Sequence, residues 1–187
     1  MKITTQPSNI QKRYHHFSNL PNSERLSYHF LTVENSSILV DLFQNDNNPF
    51  VDNRFQDVAK AKDYAYESAI SHASAKHGGC DFFICLKDTE TYIGVLHLYE
   101  LSVEQFNDNN LRATIGFGIA APFRRQYYAK EAVKHLIDYV QNTLKKPNIL
   151  AYTNPENVAA NDFLLSLGFV LSDEDYIYEY NYYELKS

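Results

Sequence analysis

The chain has 187 residues, of which 44% are apolar and 21% charged, and its formal net charge is -6. Those values describe one ordinary globular domain able to bury a real core. The negative balance excludes a general binder of nucleic-acid backbones, which attract basic surfaces, so any anionic ligand needs a local basic patch. Cys80 and Cys85 are too few for a disulfide framework and lack the four-ligand spacing of a metal site, so two reduced structural thiols and no metal are expected. No apolar run reaches the roughly 18 to 20 residues of a bilayer span, and the N-terminus lacks the apolar centre of a signal peptide. The expectation is a cytoplasmic protein with no membrane partner.

Residues 1–22 are polar and aperiodic and form an N-terminal extension; residues 23–187 form the domain. Arg25 to Leu31 predicts a first strand. Thr32 and Asn35 form a weak capping pattern before Ile38, Leu39, Leu42 and Phe43, which recur at helical spacing. Asn45 to Pro49 is a turn cluster, and Val58 to Ala75 predicts a second helix stopped by Gly78 and Gly79. Asp81 to Leu86 and Tyr92 to Leu98 predict a hairpin, followed by a strand over Arg112 to Ala120.

The clearest helix comes next. Ala129, Ala132, Val133, Leu136, Ile137, Val140 and Leu144 build one apolar stripe, with Lys145 and Lys146 in the last turn and Pro147 as the stop. A short strand over Asn148 to Thr153 precedes a helix expected to start near Asn154-Pro155. Gly168 ends that helix as a left-handed cap, and Tyr176 to Tyr183 alternates as a final strand. The fold class is α+β: a twisted, mostly antiparallel mixed sheet with one parallel βαβ unit near residues 112–153. In such a unit a ligand sits beyond the first strand's carboxyl end, at the start of the crossover helix. Pro122-Phe-Arg-Arg-Gln-Tyr-Tyr-Ala-Lys-Glu-Ala132 occupies that place, with Arg124, Arg125, Lys130 and Lys134 clustered on an acidic chain.

Four stretches, in order, resemble the GNAT superfamily of acyl-CoA transferases. Ser23 to Asn35 resembles the family's T-E-R-L opening. Ile115-Gly-Phe-Gly-Ile-Ala-Ala-Pro122 resembles its I-G-Y-x-L-x-P strand, and Arg124 to Ala129 lies on its [QR]-x-x-G-x-[GA] cofactor motif. Asn157 to Phe169 resembles its N-x-x-[AS] helix ending in L-G-F. Within the superfamily the chain is similar to the Rim-type ribosomal-protein N-terminal acetyltransferases.

The resemblance implies an N-acetyltransferase. It would move an acetyl group from acetyl-CoA, its co-substrate, to a primary amine of a small molecule or protein N-terminus by direct attack in a ternary complex. It places Ile119 and Ala121 against pantetheine, and Arg124, Arg125, Gln126, Tyr127, Tyr128, Ala129 and Lys130 around the diphosphate, with Asn157 reaching the cofactor. Arg125 and Tyr127 stand where the family has glycines; a helical backbone with the Tyr127 side chain turned away would still aim its amide at a phosphate. The family's acid and base positions hold Leu164, Ala160 and Thr114. His97 and Glu100, at the end of a hairpin strand, are the substitute catalytic candidates. The acids Asp46, Asp52, Glu104 and Asp108 suit a cationic acceptor. A catalytically degenerate GNAT fold that senses CoA or binds a protein is the alternative, and pairing with a second copy is left open.

Overall fold

The computed structural model describes residues 20–73, 79–99, 112–172 and 179–186. Strand β1 covers Leu26–Phe30. Helix α1 covers Ser37–Phe43, and α2, after a short 3-10 turn over Asn53–Gln56, covers Val58–Ala73. Strands β2 (Cys80–Leu86), β3 (Thr91–Tyr99) and β4 (Arg112–Ile119) follow. After a 3-10 turn over Ala121–Phe123 come α3 (Tyr128–Asn142), β5 (Asn148–Thr153) and α4 (Val158–Ser166). Strands β6 (Val170–Leu171) and β7 (Asn181–Lys186) complete the described elements.

The seven strands form one sheet in the order β1-β2-β3-β4-β5-β7-β6. Among them β4 and β5 pair parallel, through α3, and the other pairs are antiparallel. The expected mixed α+β sheet with one βαβ unit is therefore present. Two clusters hold it. One, with Phe82, Leu96, Leu98, Ile115, Val133, Leu136 and Leu164, lies between the sheet and α3 and α4. The other, with Leu39, Phe43, Phe55, Ala61, Phe83 and Val95, lies between the opposite face and α1 and α2. Alternation along each strand divides the residues: Phe82 and Leu96 face α3, while Phe83 and Val95 face α1. Burying a side chain such as Phe82 or Leu96 contributes about 1.5–3 kcal/mol.

Several boundaries differ from the sequence reading. Helix α3 ends at Asn142, before Leu144, because Lys145 takes a left-handed conformation (φ 57°) and the Lys146 amide turns back to the Val140 carbonyl at 3.1 Å. Helix α4 begins at Val158, not near Pro155. Asn154 makes a local turn, its side chain accepting from the Glu156 amide at 2.8 Å, and Asn157 is the cap. The last strand starts at Asn181, not Tyr176; residues 176–178 of the predicted strand lie outside the described residues. The Gly168 cap is confirmed at φ 92°, with the Phe169 amide bonded to the Leu164 carbonyl at 3.2 Å and its ring buried. Both cysteines are free and buried, and burial raises both thiol pKa values.

Candidate active site

The parallel pair is short. Only Arg112 to Thr114 pair with Asn148 to Leu150, although β4 runs on to Ile119 and β5 to Thr153. The strands thus part beyond Thr114 and Leu150. The Ala120 amide points to β3, bonding the Ile93 carbonyl at 2.9 Å. By alternation, the main-chain groups of Phe117 and Ile119 point the other way, into the gap.

The loop beyond β4 leads to the start of α3. Arg124 is extended, whereas Arg125 and Tyr127 are left-handed, at φ 62° and 65°. These two positions are where the resemblance expects glycine, so the backbone keeps the glycine conformation without the glycine. A right-handed backbone at Tyr127 is thereby corrected. Its side chain does turn away and is 75% exposed. Left-handed backbone costs a residue with a Cβ roughly 1–2 kcal/mol. The N-cap residue, Tyr127, makes no side-chain cap bond, so among the described residues the amides of the first turn remain directed out of the helix end, where an anion is favoured. Arg125, Gln126 and Lys130 are exposed around this end, with Tyr128 and Ala129 half-buried.

Arg124 is placed differently from Arg125. Its guanidinium is paired with Asp46, and its Nε donates to the Ile119 carbonyl at 2.8 Å. Asp46 is 3% exposed, so it is an internal counter-charge and not a surface acid of an acceptor loop. Asp52 likewise has a local role: it accepts from the Arg54 amide at 2.9 Å and pairs with the Arg54 guanidinium. Burial opposes ionisation of Asp52, but those bonds to Arg54 outweigh it and hold its pKa below the ordinary value. Glu100, Glu104 and Asp108 lie outside the described residues. Asn157 caps α4, its side chain accepting from the Ala160 amide at 3.3 Å. Ile119 is buried and Ala121 exposed at the two sides of the strand end. Leu164 is buried in the core, so this position offers no acid.

His97 lies in a network. Its strand neighbour across the β2–β3 pair is Asp81, and its neighbour across β3–β4 is Gly116. His97 Nδ1 lies 2.7 Å from Asp81 Oδ1; the histidine side chain is 15% exposed and the aspartate 0%. The second aspartate oxygen accepts from the Ser68 hydroxyl and from the Tyr64 hydroxyl, the latter at 3.2 Å. Tyr64 and Tyr99 hydroxyls are 3.1 Å apart, and the Tyr99 ring stacks on His97 with centroids 5.8 Å apart. Burial first, and then the Asp81 charge, raise the pKa of both tyrosines, so they stay protonated donors. A carboxylate accepts, so His97 Nδ1 carries the hydrogen, and in the neutral ring the lone pair lies on Nε2. Gly116 makes room for the ring: a Cβ there would lie 3.2 Å from His97 Cδ2.

His97 was legible as a candidate; Asp81, Tyr64 and Ser68 were not. The available sign was one acid inside the otherwise apolar Cys80-Asp-Phe-Phe-Ile-Cys-Leu86 strand. A buried acid needs donors, and an inward strand acid next to a histidine strand predicts which donor.

A mixed sheet whose parallel pair splays open beside an uncapped helix start defines the architecture of an acyl-CoA N-acyltransferase. The GNAT acetyltransferase domain family matches residues 38–170, and the chain belongs to that family. It is 28% identical over 149 residues to an uncharacterized N-acetyltransferase, p20, of Bacillus licheniformis, covering 79% of this chain and 80% of that protein. A ribosomal-protein-S5-alanine acetyltransferase from Vibrio fischeri shares the fold with a TM-score of 0.65 and 15% identity, over 87% of this chain and 93% of its own. A chimeric spermidine N-acetyltransferase from Vibrio cholerae does so with a TM-score of 0.66 and 16% identity, over 87% and 96%. The chain is an acyl-CoA-dependent N-acyltransferase, and acetyl-CoA is the family's co-substrate. Among the described residues no helix is long and apolar enough to cross a membrane.

Proposed function

We propose that the protein transfers acetyl from acetyl-CoA to a primary amine within a ternary complex, with His97 as the base. The observation that carries this reading is the bond from His97 Nδ1 to buried Asp81, beside the gap between β4 and β5. Pantetheine would pair with the main chain of Phe117 and the amide of Ile119 on the α3 side, and the diphosphate would meet the amides of Arg125 to Ala129. The acceptor would then approach from the α1 and α2 face, which carries His97 and Gly116.

On approach the amine is an ammonium ion. His97 Nε2 takes one proton, and the free nitrogen lone pair attacks the thioester carbon. A main-chain amide in the gap stabilises the oxyanion. The carbon–sulfur bond then breaks, the attacking nitrogen gives up its second proton, the leaving thiolate takes that proton up, and the amide product remains. Asp81 accepts from Nδ1 throughout and stabilises the imidazolium. Holding both reactants in line contributes about 7–11 kcal/mol of the barrier, and the base roughly 10²- to 10⁴-fold. The empty acid position at Leu164 therefore leaves most of the catalysis intact. An acceptor in either class, small amine or protein N-terminus, fits this chemistry.

Calorimetry with acetyl-CoA and thiol release over a panel of small amines and N-terminal peptides test the reading. Saturable binding, amine-dependent thiol release and loss of turnover in His97→Gln are expected. Full turnover in His97→Gln would remove the histidine from the mechanism.

A further inference from the structure

We infer that Arg25, at the entry to β1, is a positioning residue that holds the left-handed loop in its ligand-ready shape. The inference rests on the diphosphate reading of that loop. Two strained residues, Arg125 and Tyr127, flank Gln126. Strained backbone persists only where its surroundings over-determine it. Arg25 supplies that constraint from a hundred residues away in the chain. Its Nη1 lies 3.3 Å from the Gln126 carbonyl, between the two left-handed residues. Its guanidinium carbon lies 4.5 Å over the centre of the Tyr128 ring, where a cation is attracted to the ring face. Its Nε donates to Glu131 Oε2 at 2.6 Å, in the first turn of α3.

Glu131 is anchored in turn. Its other oxygen accepts from the Arg25 amide and the Ser23 hydroxyl, each at 2.7 Å. Tyr28 bonds the Ser23 hydroxyl at 3.1 Å and stacks on His135 of α3 with centroids 5.5 Å apart. An isolated surface ion pair contributes little. Here one planar fork touches residues 126, 128 and 131 together, which fixes geometry beyond what a point charge does. A glycine loop adopts the left-handed shape unaided; this loop has side chains and a brace.

The test compares wild type, Arg25→Ala, Arg25→Lys, Tyr127→Gly and the Arg25→Ala/Tyr127→Gly pair. If removing the brace leaves the ready loop populated about one-tenth of the time, Kd and KM for acetyl-CoA rise about tenfold in Arg25→Ala. The kcat at saturating acetyl-CoA and the amine KM stay within about twofold, because the chemistry lies elsewhere. Lysine restores only part of the affinity, since it keeps the charge and loses the fork. In the Tyr127→Gly background the Arg25→Ala effect shrinks, because one of the two strained positions being braced is relieved. A fall in kcat with unchanged KM, or an effect of equal size in the glycine background, overturns the inference. Amide hydrogen exchange across residues 124–129 without any coenzyme reads the brace directly. Faster exchange confined to that loop in Arg25→Ala is expected, and unchanged exchange overturns it. A wild type that binds no acetyl-CoA sinks the proposed reaction, while the exchange result still decides the brace.

Discussion

Asp81 and His97 face each other across two neighbouring strands, with Oδ1 and Nδ1 2.7 Å apart. Their pairing fixes the tautomer before any substrate arrives. Asp81→Asn removes the charge that stabilises the imidazolium and leaves the amide oxygen to accept from Ser68 and Tyr64. Its kcat is expected to fall by roughly 10²- to 10⁴-fold with little change in acetyl-CoA affinity. Steady-state kinetics beside calorimetry check this, and an unchanged kcat would show that the pair is only structural.

Gly116→Ala places a methyl group 3.2 Å from His97 Cδ2. That contact is tight enough to push the ring off Asp81 by a few tenths of an ångström. Turnover is expected to drop about tenfold, as a displaced base does, while the melting temperature moves only a few degrees. A variant with wild-type turnover would mean that the ring position does not matter.

Tyr127→Gly should stabilise the fold. Left-handed backbone costs tyrosine roughly 1–2 kcal/mol, and glycine returns about 0.5–1 kcal/mol of that through its freer unfolded chain. The net gain is about 0.5–1 kcal/mol, readable as a higher urea midpoint. A lower midpoint would show that the exposed ring contributes something its surroundings do not reveal.

Acid should loosen the link between β1 and α3. Burial pushes the Glu131 pKa up, but the Arg25 amide, the Ser23 hydroxyl and the Arg25 guanidinium outweigh it, so its folded value lies below the ordinary 4.5. The unfolded chain therefore takes up the proton first. The stabilisation is complete above the unfolded value and is lost as pH falls through the folded one. Between about pH 5 and pH 3, urea midpoints of wild type should fall more steeply than those of Glu131→Gln. Parallel slopes would refute the linkage.

Much of this was legible from residue order. The strand over Arg112 to Ala120, the arginine loop and the apolar stripe of α3 located the helix start, because periodicity and punctuation are local. What sequence did not show was long-range. The sequence reading makes Arg124 a phosphate ligand and does not show its pairing with Asp46, 78 positions earlier. It makes Asn157 a cofactor ligand and misses its place as the cap of its own helix. Asp81 looks like a strand edge until Tyr64, Ser68 and His97 close over it. Left-handed φ values at Arg125 and Tyr127 were hidden for another reason: neither residue type advertises that conformation.

The two interior thiols have a practical bearing on the reaction. Cys80 and Cys85 are both buried, with burial holding their sulfurs in the unreactive protonated form. In the native protein neither should reduce a disulfide dye, so colour that develops during turnover reports coenzyme released and nothing from the enzyme itself. A burst of colour equal to two sulfurs per chain, before any amine is added, would instead announce unfolding.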